Sequence, residues 1–323
     1  MLRRRRFCLL NILRVAIRIM SAGDCEAGDM MTMMCCASCG IAEVDDIKLK
    51  ECADCDLVRY CSDECQENHT TQHQEDCKKR GAELRDELLF KQPESNHLGD
   101  CPICMIPMPL DESKSSLYSC CSKLICIGCS HANNRREAVE SGWPKCPFCR
   151  EPLPATKEEN DRNAVKRIEV NDPVTLRQWG YIRYSEGDYK GAFEYWTKAA
   201  KLGDAGAHYG LSHSYQEGKG GVEKDEKLEL YHLEQAAIGG HPYARYNLGR
   251  HEWKNGNAER GVKHWIIAAT QGYDGSIKKL MDEFRSGIVS KDDLAAALRA
   301  HQAAVDSAKS PQREAAEKYH FRK

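Results

Sequence analysis

The 323-residue chain carries 47 basic and 49 acidic side chains, a formal net charge of −2, which leaves no global basic field for nucleic acid. Its length allows two or three domains. Of its 18 cysteines, 16 lie between positions 35 and 149 and none follows Cys149, a clustering that points to metal sites in a reducing compartment and away from a secreted disulfide framework.

Residues 1–34 are expected to be a basic, disordered segment. Arg3, Arg4, Arg5, Arg6, Arg14 and Arg18 occur there with no acid before Asp24. The apolar run from Leu9 to Met20 is broken by Arg14 and Arg18, so it is too short and too charged to span a bilayer. An arginine-rich, acid-free, amphipathic stretch has the composition of an organelle transit peptide. Several later methionines, Met20, Met30, Met31, Met33 and Met34, leave upstream sequence as the other reading. A cytoplasmic or nuclear location is expected, with organelle import as the alternative.

Residues 35–77 hold the first metal constellation: Cys36-x2-Cys39, Cys52-x2-Cys55, Cys61-x3-Cys65 and His73-x3-Cys77. Two-residue spacing lets a tight turn aim both sulfurs inward, and i,i+4 spacing puts each later pair on one face of a short helix. Eight ligands suffice for two zinc ions. The pattern resembles a MYND zinc finger, a protein-interaction module. That resemblance implies one zinc shared by Cys36, Cys39, Cys61 and Cys65, and another shared by Cys52, Cys55, His73 and Cys77. Cys35 breaks the two-residue spacing and is read as a spare thiol, and His69 as a solvated or outer residue. Thr70 stands where such fingers usually carry an aromatic in their peptide-binding face, which argues against proline-rich peptide capture, the family's usual role. A purely structural finger is the alternative.

Residues 78–100 read as a linking helix and loop, with Leu84, Leu88 and Leu89 on one helical face. The second constellation, residues 101–150, contains Cys101-x2-Cys104, Cys120-Cys121, Cys126-x2-Cys129 and Cys146-x2-Cys149. Its spacing resembles a RING-type zinc finger, similar to the all-cysteine RING of the Ccr-Not complex ubiquitin ligase. By that resemblance Cys101, Cys104, Cys126 and Cys129 hold one zinc; Cys120, Cys121, Cys146 and Cys149 hold the other. Ile103 and Pro147 fall where RING ligases touch the ubiquitin-conjugating enzyme, and Arg150 falls where some ligases clamp the conjugate. The alternatives are that Ile103 and Pro147 shape the zinc turns and that Arg150 is a solvated charge. Adjacent Cys120 and Cys121 face opposite ways on an extended strand, so either the backbone turns sharply or His131 replaces one of them. Asn133 departs from the tryptophan many ligases carry at that place.

Residues 151–172 are a charged linker with a short helix. Four of five tryptophans and ten of thirteen tyrosines then fall between 179 and 273, the composition of an aromatic core. An aromatic followed three residues later by glycine recurs at Tyr184/Gly187, Tyr215/Gly218, Trp253/Gly256 and Phe284/Gly287, a period that signals stacked helical hairpins. Ala199-Ala200 with Gly203, Ala236-Ala237 with Gly239, and Ala268-Ala269 with Gly272 repeat in phase. The pattern resembles Sel-like repeats, relatives of the tetratricopeptide repeat, over residues 173–305 with about three and a half units. Tyr181, Trp196, Tyr209, Tyr231, Tyr246 and Trp265 are read as core. The last helix begins at a capping box, Ser290-x2-Asp293. Residues 306–323 are read as a flexible charged tail.

The expected fold is multidomain: two small zinc-stabilised cross-brace fingers (α+β and metal-dependent) followed by an all-α helical-hairpin array. Four structural Zn2+ ions are expected, each contributing ~10–16 kcal/mol to folding as in zinc-finger peptides. The sequence shows no nucleotide loop, Ser/His/Asp arrangement or nucleophile elbow, and both cysteine clusters supply four ligands per metal with no open position, so catalysis by this chain's own groups is not expected. The resemblances imply protein partners, among them a ubiquitin-conjugating enzyme and a substrate or proline-rich peptide, in a RING-type ubiquitin-protein ligase or ligase adaptor. A non-enzymatic zinc-finger scaffold and a MYND-recruited transcriptional co-regulator are the alternatives. Neither nucleic acid nor membrane is expected as a partner.

Overall fold

The computed structural model describes residues 35–41, 43 and 48–320. The basic segment 1–34 and the transit-peptide reading of it lie outside the described residues. The chain separates into two compact units, one ending at Leu88 and the other beginning at Leu89.

In the first unit a minimal antiparallel pair, β1 (Lys50–Glu51) and β2 (Arg59–Tyr60), is followed by one long helix, α1 (Asp63–Phe90). Buried Cys36, Cys52, Cys55 and Tyr60 make its small core. The expected short metal-binding helix and the linking helix are one continuous element. No proline interrupts residues 63–90, and the single glycine, Gly81, sits where an added Cβ would lie 2.7 Å from the Asp54 carbonyl oxygen. Glycine is needed there for close approach, not for a break.

The second unit begins with a hairpin, β3 (Ser115–Tyr118) and β4 (Lys123–Cys126), which leads directly into α2 (Ile127–Ser141). Met108, Tyr118 and Ile125 pack with four cysteines in its interior. Helix α3 (Lys157–Glu169), capped by Thr156, bridges to the repeats.

Four helical hairpins follow, where the sequence reading counts about three and a half: α4 (Pro173–Ser185) with α5 (Tyr189–Lys201), α6 (Ala205–Glu217) with α7 (Glu226–Ile238), α8 (Pro242–Lys254) with α9 (Ala258–Thr270), and α10 (Asp274–Arg285) with α11 (Lys291–Ser307). Gly180 and Gly210 press on buried Trp196, and Gly249 presses on buried Trp265; a Cβ at any of the three would fall within 2.6 Å of the indole. The small residues therefore let helices approach across a large aromatic wedge. Positive φ occurs at Gly187, Gly203, Gly240 and Gly272. In the second repeat the phase-keeping glycine is thus Gly240, three residues after Ala237 as in its neighbours, not Gly239. Of the aromatics read as core, Trp196 and Trp265 are buried and Tyr181, Tyr209 and Tyr246 half-buried, while Tyr231 is 50% exposed. Tyr231 lies at the edge of the stack, packed edge-on against His208 and His232.

The tail is not free either. Ser310 caps a last helix, α12 (Pro311–His320), which packs on α2. Proline at the first helical position, a serine before it and Glu314 in the first turn are helix-start signals that outweigh the segment's charge. The array and the second cysteine-rich module share one compact unit, joined by Ser122 Oγ to Thr175 Oγ1 at 2.6 Å and by Arg167 Nε, which donates to Ser122 Oγ at 3.1 Å. No helix among the described residues is long and apolar enough to cross a membrane.

Candidate metal centres

Three of the C-x2-C pairs are built on the same turn. In the first, the Gly40 amide donates to Cys36 O at 2.8 Å and the Cys36 amide to Ile41 O at 2.7 Å. The Met105 amide likewise donates to Cys101 O at 2.8 Å, and the Arg150 amide to Cys146 O at 3.0 Å. The residue after the second cysteine has positive φ each time: Gly40 74°, Met105 55° and Arg150 63°. This knuckle points both sulfurs to one side.

The sulfur and nitrogen atoms converge in four groups, each within 4.8 Å: Cys36, Cys39, Cys61 and Cys65; Cys52, Cys55, His73 and Cys77; Cys101, Cys104, Cys126 and Cys129; Cys120, Cys121, Cys146 and Cys149. Every cysteine and histidine expected to ligate is in one of these groups. Cys35 and His69 are in none.

In the first unit, Cys61 precedes α1 and Cys65 lies in its first turn, so this pair straddles the helix start and does not share a helical face. His73 and Cys77 do lie one turn apart on α1. Cys55 Sγ is 3.1 Å from His73 Nε2, and Cys52 Sγ is 3.7 Å from Cys77 Sγ. His69 stacks on His73 with ring centroids 5.8 Å apart and meets the Tyr60 hydroxyl at 3.1 Å, so it stands behind the ligand set. Burial and then the neighbouring His69 hold His73 below its ordinary pKa, favouring the neutral imidazole that binds metal.

In the second unit, Cys120 and Cys121 both face one group. They occupy a turn, with the Ser122 amide donating to Tyr118 O at 2.8 Å and Ser122 itself at φ 56°. The sharp turn, not a substitute ligand, resolves the adjacent pair. His131 lies elsewhere, its ring 4.7 Å from that of Tyr319. The N-terminus of α2 carries Cys129, whose amide donates to Cys126 Sγ at 3.4 Å.

The donor sets fit zinc. A tetrahedral site with ~2.3 Å zinc–sulfur bonds has sulfur–sulfur edges of about 3.8 Å. The observed separations are 3.5 Å for Cys39–Cys61, 3.6 Å for Cys61–Cys65, 3.9 Å for Cys104–Cys126, 3.6 Å for Cys121–Cys146 and 3.3 Å for Cys120–Cys149. None of the described cysteines is in a disulfide. Burial, reinforced by neighbouring thiols, pushes Cys39 and Cys77 up to about 12, a crowding of would-be thiolates that a cation relieves.

Ile103 is 44% exposed, and Pro147 is half-buried beside exposed Phe148. Arg150 is exposed but paired: its Nη1 donates to Glu137 Oε1 at 2.8 Å and its Nη2 to Oε2 at 3.4 Å. Arg150 and then Arg136 hold the buried Glu137 carboxyl below the usual carboxylate range. Asn133 is buried and donates from Nδ2 to Lys145 O at 2.8 Å, tying α2 to the last knuckle. Arg313 is a residue the sequence did not reveal, since it reaches the Cys104 sulfur from more than two hundred positions away.

Comparison with known proteins agrees with part of this picture. A family model described as MYND finger matches residues 36–77. Over 86 residues the chain is 30% identical to chitin synthase regulatory factor 4 of Schizosaccharomyces pombe, a stretch covering 27% of this chain and 14% of that protein. A Sel1 repeat protein from Oxalobacter formigenes matches 38% of this chain and 98% of its own, with 28% identity and a TM-score of 0.34. The protective antigen c5321 of uropathogenic Escherichia coli, which has an SLR fold, matches 60% of this chain and 41% of its own, with 21% identity and a TM-score of 0.37. A MYND finger ahead of a helical-repeat array makes this chain a zinc-binding protein-interaction protein.

Proposed function

We propose that the second cysteine-rich module is a RING-type finger that recruits a ubiquitin-conjugating enzyme, while the MYND finger and the Sel-like array recruit proteins to it. Four structural zinc ions, two per module, complete this reading. The observation that supports it best is the interleaving of the ligands. Cys101/Cys104 pair with Cys126/Cys129 across Cys120/Cys121, which pair in turn with Cys146/Cys149. Around the two outer knuckles, Ile103, Met105 and Phe148 remain exposed, an apolar surface of the kind a partner covers. Such a module contributes no nucleophile. It orients the conjugating enzyme's thioester so that a substrate lysine amine attacks the carbonyl and the cysteine thiolate leaves. Ile103 and Pro147 make the docking contact, and Arg150 exchanges Glu137 for the conjugate. The working location is one where thiols stay reduced, the cytoplasm or nucleus.

A non-enzymatic scaffold is the second reading, favoured by Asn133. Asparagine stands where many ligases carry a tryptophan, and its side chain is spent on Lys145 O. The resemblance of one segment to a protein named as a regulatory factor also suits this reading.

The test is autoubiquitination by the zinc-loaded full chain with a panel of conjugating enzymes. Ubiquitin chains that fall about tenfold or more with Ile103→Ala, the size of an interface hot spot, establish the ligase. A folded, fully metallated protein that is silent across the panel establishes the scaffold.

A further inference from the structure

We propose that Arg313, carried by the C-terminal helix α12, is a positioning residue for the metal centre of Cys101, Cys104, Cys126 and Cys129, acting through its guanidinium and not through the packing of α12. The inference rests on the reading that this module binds metal.

Arg313 is only 4% exposed. Its Nη1 donates to Pro107 O and Ala308 O, both at 2.7 Å, while Nη2 donates to Ile106 O at 3.1 Å and to Cys104 Sγ at 3.7 Å. One guanidinium thus ties the knuckle that follows Cys104 to the end of α11. Three of these acceptors are neutral carbonyls; the fourth, Cys104, carries formal charge once it binds metal. Four thiolates around a divalent cation leave a net charge of −2. Such charge in an apolar interior is costly unless outer donors meet it. Here Cys101 and Cys126 are buried with Met108 and Ile125. The Cys126 amide already donates to Cys101 Sγ at 3.5 Å, so Arg313 adds a full positive charge to a shell otherwise built of backbone dipoles.

The docking of α12 is built into α2. A Cβ at Gly128, next to ligand Cys129, would lie 2.7 Å from the Arg313 amide nitrogen, so glycine is what lets the two backbones approach. Glu317 pairs with Lys114 at 3.0 Å, and Tyr319 lies against His131. The other centre of the module is more open, with Cys149 exposed.

Zinc transfer from the loaded full chain to a chromogenic chelator tests the proposal. Cys104→Ser first identifies the release phase that belongs to this centre. Arg313→Ala is then expected to speed that phase about tenfold or more, the usual effect of losing an outer partner, and to leave the other phases unchanged. Arg313→Lys, which restores charge without the fork, should fall between. Glu317→Ala weakens docking without touching the guanidinium and should release zinc at the wild-type rate. In the cobalt-substituted chain, the thiolate-to-metal charge-transfer band should shift with Arg313→Ala and not with Glu317→Ala. Wild-type release by Arg313→Ala overturns the proposal. So does equal acceleration by Glu317→Ala with no rescue by lysine, which would assign the effect to helix packing alone. If Cys104→Ser loses no zinc, the metal reading itself fails and takes the proposal with it.

Discussion

Met105 and Arg150 each follow the second cysteine of a knuckle, and their φ values are 55° and 63°. A non-glycine residue in this left-handed region carries roughly 1–2 kcal/mol of steric cost, which glycine avoids. Met105 is 70% exposed, so Met105→Gly should raise the stability of the zinc-loaded protein by about 1 kcal/mol. Arg150→Gly removes the same strain but takes from the Glu137 carboxylate its two-pronged partner and leaves it Arg136. It should therefore be neutral or destabilising. Denaturant midpoints of the two variants check this; equal gains would mean that the Arg150–Glu137 pair contributes nothing.

Metal dependence belongs to the elements, because the cores differ in kind. Four of the seven buried residues of the β3–β4–α2 core are cysteines, and so are three of the four in the first unit. The three clusters within the repeats contain none; Trp196, Leu211, Leu233, Leu248, Trp265 and Leu280 fill them. Stripping zinc with a chelator should abolish amide protection over residues 36–77 and 101–150 and leave α5 to α9 protected in hydrogen exchange. Loss of protection in those helices would show that the array depends on the metal modules. The same contrast explains what the sequence made legible. Ligand spacing is local chemistry, so the sixteen side chains that converge in four groups could be picked out along the chain, their grouping being what the two resemblances imply, and hairpin periodicity marks the array. The adjacent Cys120 and Cys121 stayed ambiguous because the answer lay in a turn whose left-handed residue, Ser122, carries no glycine signal. Gly239 and Gly240 are adjacent, so spacing alone blurs the phase that the positive φ of Gly240 sets. The docking of α12 was hidden because Arg313 meets its partners only through the tertiary fold, although Ser310 and Pro311 announced the helix itself.

At the scale of the molecule, the repeat unit buries histidines that it must keep neutral. His97 lies with its ring centroid 4.1 Å from that of His241, which stacks on Tyr209 at 4.3 Å. Burial, then the nearby Arg177, pushes His97 down to about 3. His241 is depressed by burial and by His97, Arg177 and His213. Arg177 is itself held between Asp204 and Glu112, so its charge stays in place. In the neighbouring repeat, His208 and His232 approach Nδ1 to Nδ1 at 2.9 Å, and burial followed by His208 lowers His232 to about 4. The sign follows directly. The unfolded chain binds these protons near pH 6.5 and the folded one does not, so their neutral form contributes fully above that pH, and stability falls as the pH drops toward 4. Each such histidine adds up to about 1.4 kcal/mol of loss per pH unit in that window. Tryptophan fluorescence suits the measurement, since four of the five tryptophans lie in the array. Acid also releases zinc, so the discriminating variant is His241→Asn. The His241 side chain accepts from the Ala244 amide at 3.3 Å as the N-cap of α8, and asparagine is a good substitute in that role. The variant should fold, release zinc at the same pH as the wild type, and lose stability less steeply between pH 6.5 and 4. An unchanged slope would place the acid sensitivity of the array in the metal centres alone.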